Sequence, residues 1–131
     1  SYMDVPMNQK IFMAQYECIK KLAEQESCII VGRCADYALK DMPGLVSVFI
    51  SADMDFKIKR VIEMYGCDEV KAKDIINKTN KKRASYYNFY SNKKWADSRS
   101  YNLCINSSVV GIENAADLII QFMNLKLNKK D

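Results

Sequence analysis

Apolar positions recur at helical spacing over residues 8–25, where Ile11, Phe12, Cys18, Ile19 and Leu22 stand three, four and seven apart. Asn8 and Gln15, themselves seven apart, fall on that stripe and put two amides on a face otherwise fit for a core. The pattern then changes. Residues 28–31 read CIIV, short, largely β-branched and apolar on both faces, which predicts a central parallel strand. A second strand is predicted over Leu45–Ser51, after a Pro43-Gly44 turn. Ser51 or Asp53 is placed to cap the next helix, over roughly 54–65, with Ile58, Val61, Ile62 and Tyr65 inward.

Gly66 stops that helix, and Asp68 starts a longer one that reaches about Tyr90. Its first turns are expected to bury Val70, Ile75 and Ile76. Its middle, NKTNKKRAS, has no apolar stripe and is expected to face solvent. A third strand over residues 102–106 leads through Ser107, Ser108 and Gly111 into a final helix. Ile112, Ala115, Leu118, Ile119 and Phe122 form the apolar face of that helix. This order of elements predicts an α/β fold, a parallel sheet wrapped by helices, in a single domain over 1–131. Ligands in such folds gather outside the carboxyl ends of the strands. Arg33, Ser51 to Asp53 and Asn106 to Ser108 all stand at predicted strand ends.

Charge sharpens the picture. The net charge is only +4. Residues 71–94, however, hold eight basic side chains against Asp74 alone, a local +7 (eight less one) that leaves −3 for the rest of the chain. Such a segment expects an anionic partner. Lys78, Lys81, Lys82 and Arg83 repel one another at helical spacing, so a basic lid helix over about 77–95 is expected to be mobile until an anion relieves the repulsion. Tyr86, Tyr87, Phe89, Tyr90 and Trp95 are read as packing between that helix and the core. Lys57 and Arg60, three apart on the preceding helix, fit a solvated face as well as a ligand contact.

Composition removes several chemistries. The chain has no histidine, which excludes Ser-His-Asp and Cys-His nucleophile systems and His-bearing metal sites. Its five cysteines form no C-x-x-C, so neither a disulfide framework nor a zinc site is expected. Cys28 and Cys104 sit in apolar runs and read as small core residues, while Cys34 beside Arg33 raises the question of an activated thiol. No apolar run approaches the roughly 20 residues of a membrane span, so no membrane partner and a cytoplasmic location are expected. Arg33 itself has two readings. It can bridge Asp36 or Asp41, or its guanidinium fork can hold a phosphate bidentately.

Four segments resemble one family in order and spacing: IFMAQYECIKKLAEQESCIIVGRCADYAL, VFISADMDFKIKRVIE, KRASYYNFYSNKKW and LCINSS…GIENAADLI. Together they resemble the cytidylate kinase-like family of P-loop kinases. The resemblance implies a P-loop nucleotide-kinase-like fold and phosphoryl transfer from ATP to a nucleoside monophosphate, with Mg2+. By position, Arg33 matches the arginine that holds the acceptor phosphate. Asn8 and Gln15 match the helix flanking the acceptor nucleotide, and Arg60 matches an arginine on the helix after the next strand. Lys81, Lys82 and Arg83 match the lid over the phosphates, and Asn106 and Ser107 match the loop near the donor adenine.

Departures from the family pattern are specific. Its Gly-Arg-Asp is here Gly32-Arg33-Cys34, which leaves the carboxylate nearest the metal absent or moved to Asp36. The lid reads Asn-Lys-Lys-Arg rather than alternating Arg and Asp. No glycine-rich loop with a lysine is found, since the four glycines stand alone. The chain is therefore expected to be the C-terminal part of a longer protein. The unpaired sheet edge this implies favours homo-oligomers. Two rivals are a non-catalytic nucleotide sensor of the same fold and a nucleic-acid-binding module built on residues 71–94. The latter ranks last, because the charge is confined to one helix.

Overall fold

Helical periodicity first produces α1 (Val5–Gln25), followed by a turn and the single turn of α2 (Ala35–Ala38). The structure, a computed structural model, describes residues 5–129, with side chains from residue 9 onward. It forms two compact units, Ser1–Leu45 and Val46–Asp131. In the first, Ile19, Ala35, Ala38 and Leu39 make a buried cluster against which Tyr16, Ala23, Ile30, Met42 and Leu45 pack. Phe12 is also buried, but Ile11, Cys18 and Leu22 of the expected stripe are exposed. Helix α1 thus buries a narrower face than its sequence offers.

The expected strand at residues 28–31 is not formed. The segment is extended: Ile30 turns onto the α1 cluster while Ile29 and Val31 stand 95% and 89% exposed. That alternation is the period of a strand. Among the described residues, however, none gives it ladder hydrogen bonds. A strand is defined by its partner, and the local sequence carries only half of that condition.

The second unit begins with β1 (Val48–Ser51), shorter than the predicted 45–51, and α3 (Met54–Tyr65). Gly66, at φ 65, caps α3 by donating its N–H to the Ile62 carbonyl at 2.8 Å. Asp68 caps α4 (Glu69–Ser91), accepting from the Lys71 N–H at 2.8 Å. Ile58, Ala72 and Ile76 form the α3–α4 core, flanked by Val61, Ile62 and Cys67. Tyr65 and Val70, expected inside, are 63% and 78% exposed. Ala72 rather than Val70 is the early α4 residue in that core, and its small side chain lets the helices approach.

After the 3-10 turn Ser98–Ser100, β2 (Leu103–Asn106) pairs in parallel with β1, in the register Val48↔Leu103 through Ser51↔Asn106. The single turn of α5 (Ser107–Val110) and α6 (Ile112–Leu127) complete the chain. Gly111 joins them at φ 89, a conformation that side chains rarely adopt. Of the α6 stripe, Ala115 is buried and Ile119 and Phe122 are half-buried, whereas Ile112 and Leu118 are exposed. Cys28 and Cys104 are exposed too, and the buried cysteine is Cys34. A two-stranded sheet has too little face to cover the positions that an apolar pattern marks for burial.

Candidate functional site

Register places the site of the second unit. Because Ser51 lies opposite Asn106, both strands end at the same level, and the residues that follow them meet. The Asn106 Nδ2 donates to Asp53 Oδ1 at 2.9 Å, while Asn106 Oδ1 accepts from the Ser108 N–H at 3.1 Å and from the Ser108 hydroxyl. The Ser108 hydroxyl in turn accepts from the Asp53 N–H at 3.0 Å. Below them the Ser107 hydroxyl donates to the Ser51 carbonyl at 3.0 Å and the Ser51 hydroxyl to the Ile105 carbonyl at 3.4 Å. Asp53 stands at the N-cap position of α3, yet its carboxylate makes no cap bond there and holds Asn106 instead.

Of the predicted site residues, the network unites Asn106 and Ser107. It adds Asp53 and Ser108, and only their place after strand ends signals such a role in sequence. Asn106 also lines an open, mainly apolar cleft of about 440 Å³ between β2 and α6, with Ile105, Val109, Phe122 and Leu125 among its walls.

Helix α4 supplies the positive charge in the same unit. Lys81, Lys82 and Arg83 are exposed, and none of the three is in an ion pair among the described residues. Lys78 differs, reaching Asp74 at 3.0 Å one turn back. The helix ends at Ser91, short of the 95 expected for the basic segment. Arg60 is exposed on α3, its guanidinium 5.9 Å from the Phe56 ring centroid.

The first unit holds the remaining candidates. Gly32, Arg33 and Cys34 take φ values of 73, 58 and 55 in succession, so two L-residues sit in the left-handed region at a cost of roughly 1–2 kcal/mol each. Arg33 consequently caps no strand. It lies in an exposed turn before α2 and bridges neither Asp36 nor Asp41 among the described residues. Asp36 Oδ1 accepts from the Tyr37 N–H at 2.9 Å. Burial, with the Asp36 carboxylate beside it, pushes the Cys34 thiol up to about 11, the opposite of an activated nucleophile. Gln15 is half-buried on α1; Asn8 is on the same helix, but its side chain lies outside the described residues. Among the described residues no group of His, Cys, Asp or Glu converges to hold a metal ion, and no helix is long and apolar enough to cross a membrane.

Parallel strands, flanking helices and a polar network at the carboxyl strand ends define an α/β protein. The cytidylate kinase-like family profile matches residues 1–109, and the chain belongs to that family. A crystal structure of an uncharacterized protein from Eubacterium ventriosum is similar to it, at 44% identity and a TM-score of 0.86. That similarity covers 88% of this chain and 66% of the other, so the chain spans about two thirds of that protein's length. No protein of curated function matches.

Proposed function

We propose that the complete gene product transfers a phosphoryl group from ATP to a nucleoside monophosphate, in the P-loop kinase fold. The observation that carries this reading is the joined end of β1 and β2, with the unpaired cations of α4 in the same unit. In phosphoryl transfer the protein mainly orients two nucleotides in line and neutralises charge. An acceptor phosphate oxygen attacks the γ-phosphorus and ADP departs. Arg33 would hold the acceptor phosphate through its planar fork. Asn8, Gln15 and Asp36 would flank the acceptor, and Arg60, Asn106 and Ser107 the donor. Lys81, Lys82 and Arg83 would offset the negative charge of the transferred group. Magnesium is used by the reaction class; among the described residues no carboxylates converge to hold it, and no step is assigned to it.

One observation favours a second reading. Where the family pattern has a carboxylate beside the arginine, this chain has a buried, uncharged thiol. A nucleotide sensor that binds without turnover fits that substitution.

Replacing both Lys82 and Arg83 by glutamine separates the two. For a kinase, ADP formation with CMP should fall about 10²-fold or more in kcat, with monophosphate affinity little changed. Tight nucleotide binding by the complete gene product without ADP formation would replace the kinase with the sensor. A variant defect confined to KM would show α4 to be only a solvated basic helix.

A further inference from the structure

The cations of α4 lie on its least supported stretch. On the N-terminal side, Ala72 is fully buried and Ile76 is buried against α3. On the C-terminal side, Tyr87 is buried and stacks on Tyr101 at 5.7 Å between ring centroids. Tyr101 in turn stacks on Phe49 of β1 at 5.0 Å, and Trp95 meets Phe49 edge-on at 5.2 Å. Backbone bonds lock this corner: Asn88 Oδ1 accepts from the Trp95 N–H at 2.7 Å, and the Tyr101 hydroxyl accepts from the Ala96 N–H at 3.3 Å. Between the two anchors, residues 77–85 bury no side chain.

A solvent-facing stretch with clustered like charge has little helical stability of its own, so its position depends on what holds its ends. The C-terminal anchor lands on a particular strand position. Phe49 is two residues before Ser51, on the same face of β1, and the Ser51 carbonyl accepts from Ser107 in the strand-end network.

We propose that the Tyr87–Tyr101–Phe49 stack is a positioning device: it fixes the basic span of α4 to β1 and transmits anion binding at Lys81, Lys82 and Arg83 to the strand end. Tyr87, Tyr101 and Phe49 are positioning residues, and α4 acts as a strut held at two ends rather than as a free flap. The transmission rests on the reading of α4 as a phosphate-binding helix; the anchoring does not.

Trp95, the only tryptophan, reports on the corner by its emission. The probe is sodium tripolyphosphate, with Tyr101→Leu removing the ring and Tyr101→Phe keeping it. In the parent and in Tyr101→Phe, emission should shift in step with calorimetric binding. In Tyr101→Leu, affinity should stay within about threefold while the emission change is largely lost. Hydrogen exchange of residues 83–91 should quicken about tenfold or more in Tyr101→Leu, with residues 70–76 unchanged. Should that variant not fold, Phe49→Leu takes its place. Unchanged exchange at 83–91, or equal loss along the whole helix, overturns the clamp. An emission response preserved in Tyr101→Leu, or absent from a parent that binds, overturns the transmission. Failure of tripolyphosphate to bind the parent overturns the transmission together with the phosphate-binding reading, while exchange still decides the anchoring.

Discussion

Asn106 and Asp53 are joined by a 2.9 Å hydrogen bond across 53 residues of sequence, and this bond closes the carboxyl end of the β1–β2 pair. The amide nitrogen donates that bond, while the amide oxygen of the same asparagine accepts from the Ser108 N–H at the start of α5. Removing the side chain therefore costs a strand-end bridge and a helix cap together. Asn106→Ala should lower stability by about 1–3 kcal/mol, read as a shift of the urea midpoint at unchanged m-value. Asn106→Asp should be worse at neutral pH, because it sets a second carboxylate against Asp53. Part of that loss should be recovered as the pH falls through the carboxylate range. A variant insensitive to pH would mean that the two side chains separate when both are charged.

Arg33 tests the acceptor side. Its side chain is exposed and outside any ion pair among the described residues, so Arg33→Ala should change folding stability by no more than about 0.5 kcal/mol. Monophosphate binding by the complete gene product should weaken by about 1.5–3 kcal/mol, the range for hydrogen bonds to a charged group. Unchanged affinity in calorimetry would remove Arg33 from the acceptor site.

Cys34 gives the chain an alkaline limit. Its thiol is raised to about 11 in the folded state by burial and by Asp36, from an ordinary value of 9.0. Below the ordinary value both states keep the proton and the contribution to stability is intact. As the pH rises from 9 toward 11 the unfolded chain releases its proton first, so that stability is lost until the folded thiol also ionises. Parent and Cys34→Ala stability curves should converge or cross over that interval and run parallel below it. At pH 7.5 a disulfide reagent should modify exposed Cys18, Cys28 and Cys104 well before Cys34. Early labelling of Cys34 would contradict its burial.

Ile29 and Val31 should be replaceable at almost no cost to folding. They are 95% and 89% exposed, so Ile29→Thr and Val31→Thr together should shift stability by less than about 1 kcal/mol. Exposed apolar residues on an extended, unpaired segment also invite association. The 131-residue chain should accordingly self-associate less when both are changed, as sedimentation velocity would measure. Identical association in parent and variant would direct attention to the β2–α6 cleft instead.

Much of this was local enough to be legible in one dimension. Helix α3 runs over the expected 54–65 because Gly66 and Asp68 punctuate the chain through their own backbone and side-chain bonds. The cytidylate kinase-like family was recognisable because several linked segments preserve its order. The positive charge of α4 is equally a property of composition. Tertiary structure decided what depends on a partner distant in sequence. Residues 28–31 have the composition of a strand but find no ladder among the described residues, and Cys34 rather than Cys28 is buried because α2 folds back on α1. Asp53 reads as a helix cap until parallel register brings Asn106 within hydrogen-bonding distance. Capping and periodicity act within a few residues and are written in the local sequence. Strand pairing, burial and a site at strand ends join positions tens of residues apart, and these exist only once the chain has closed on itself.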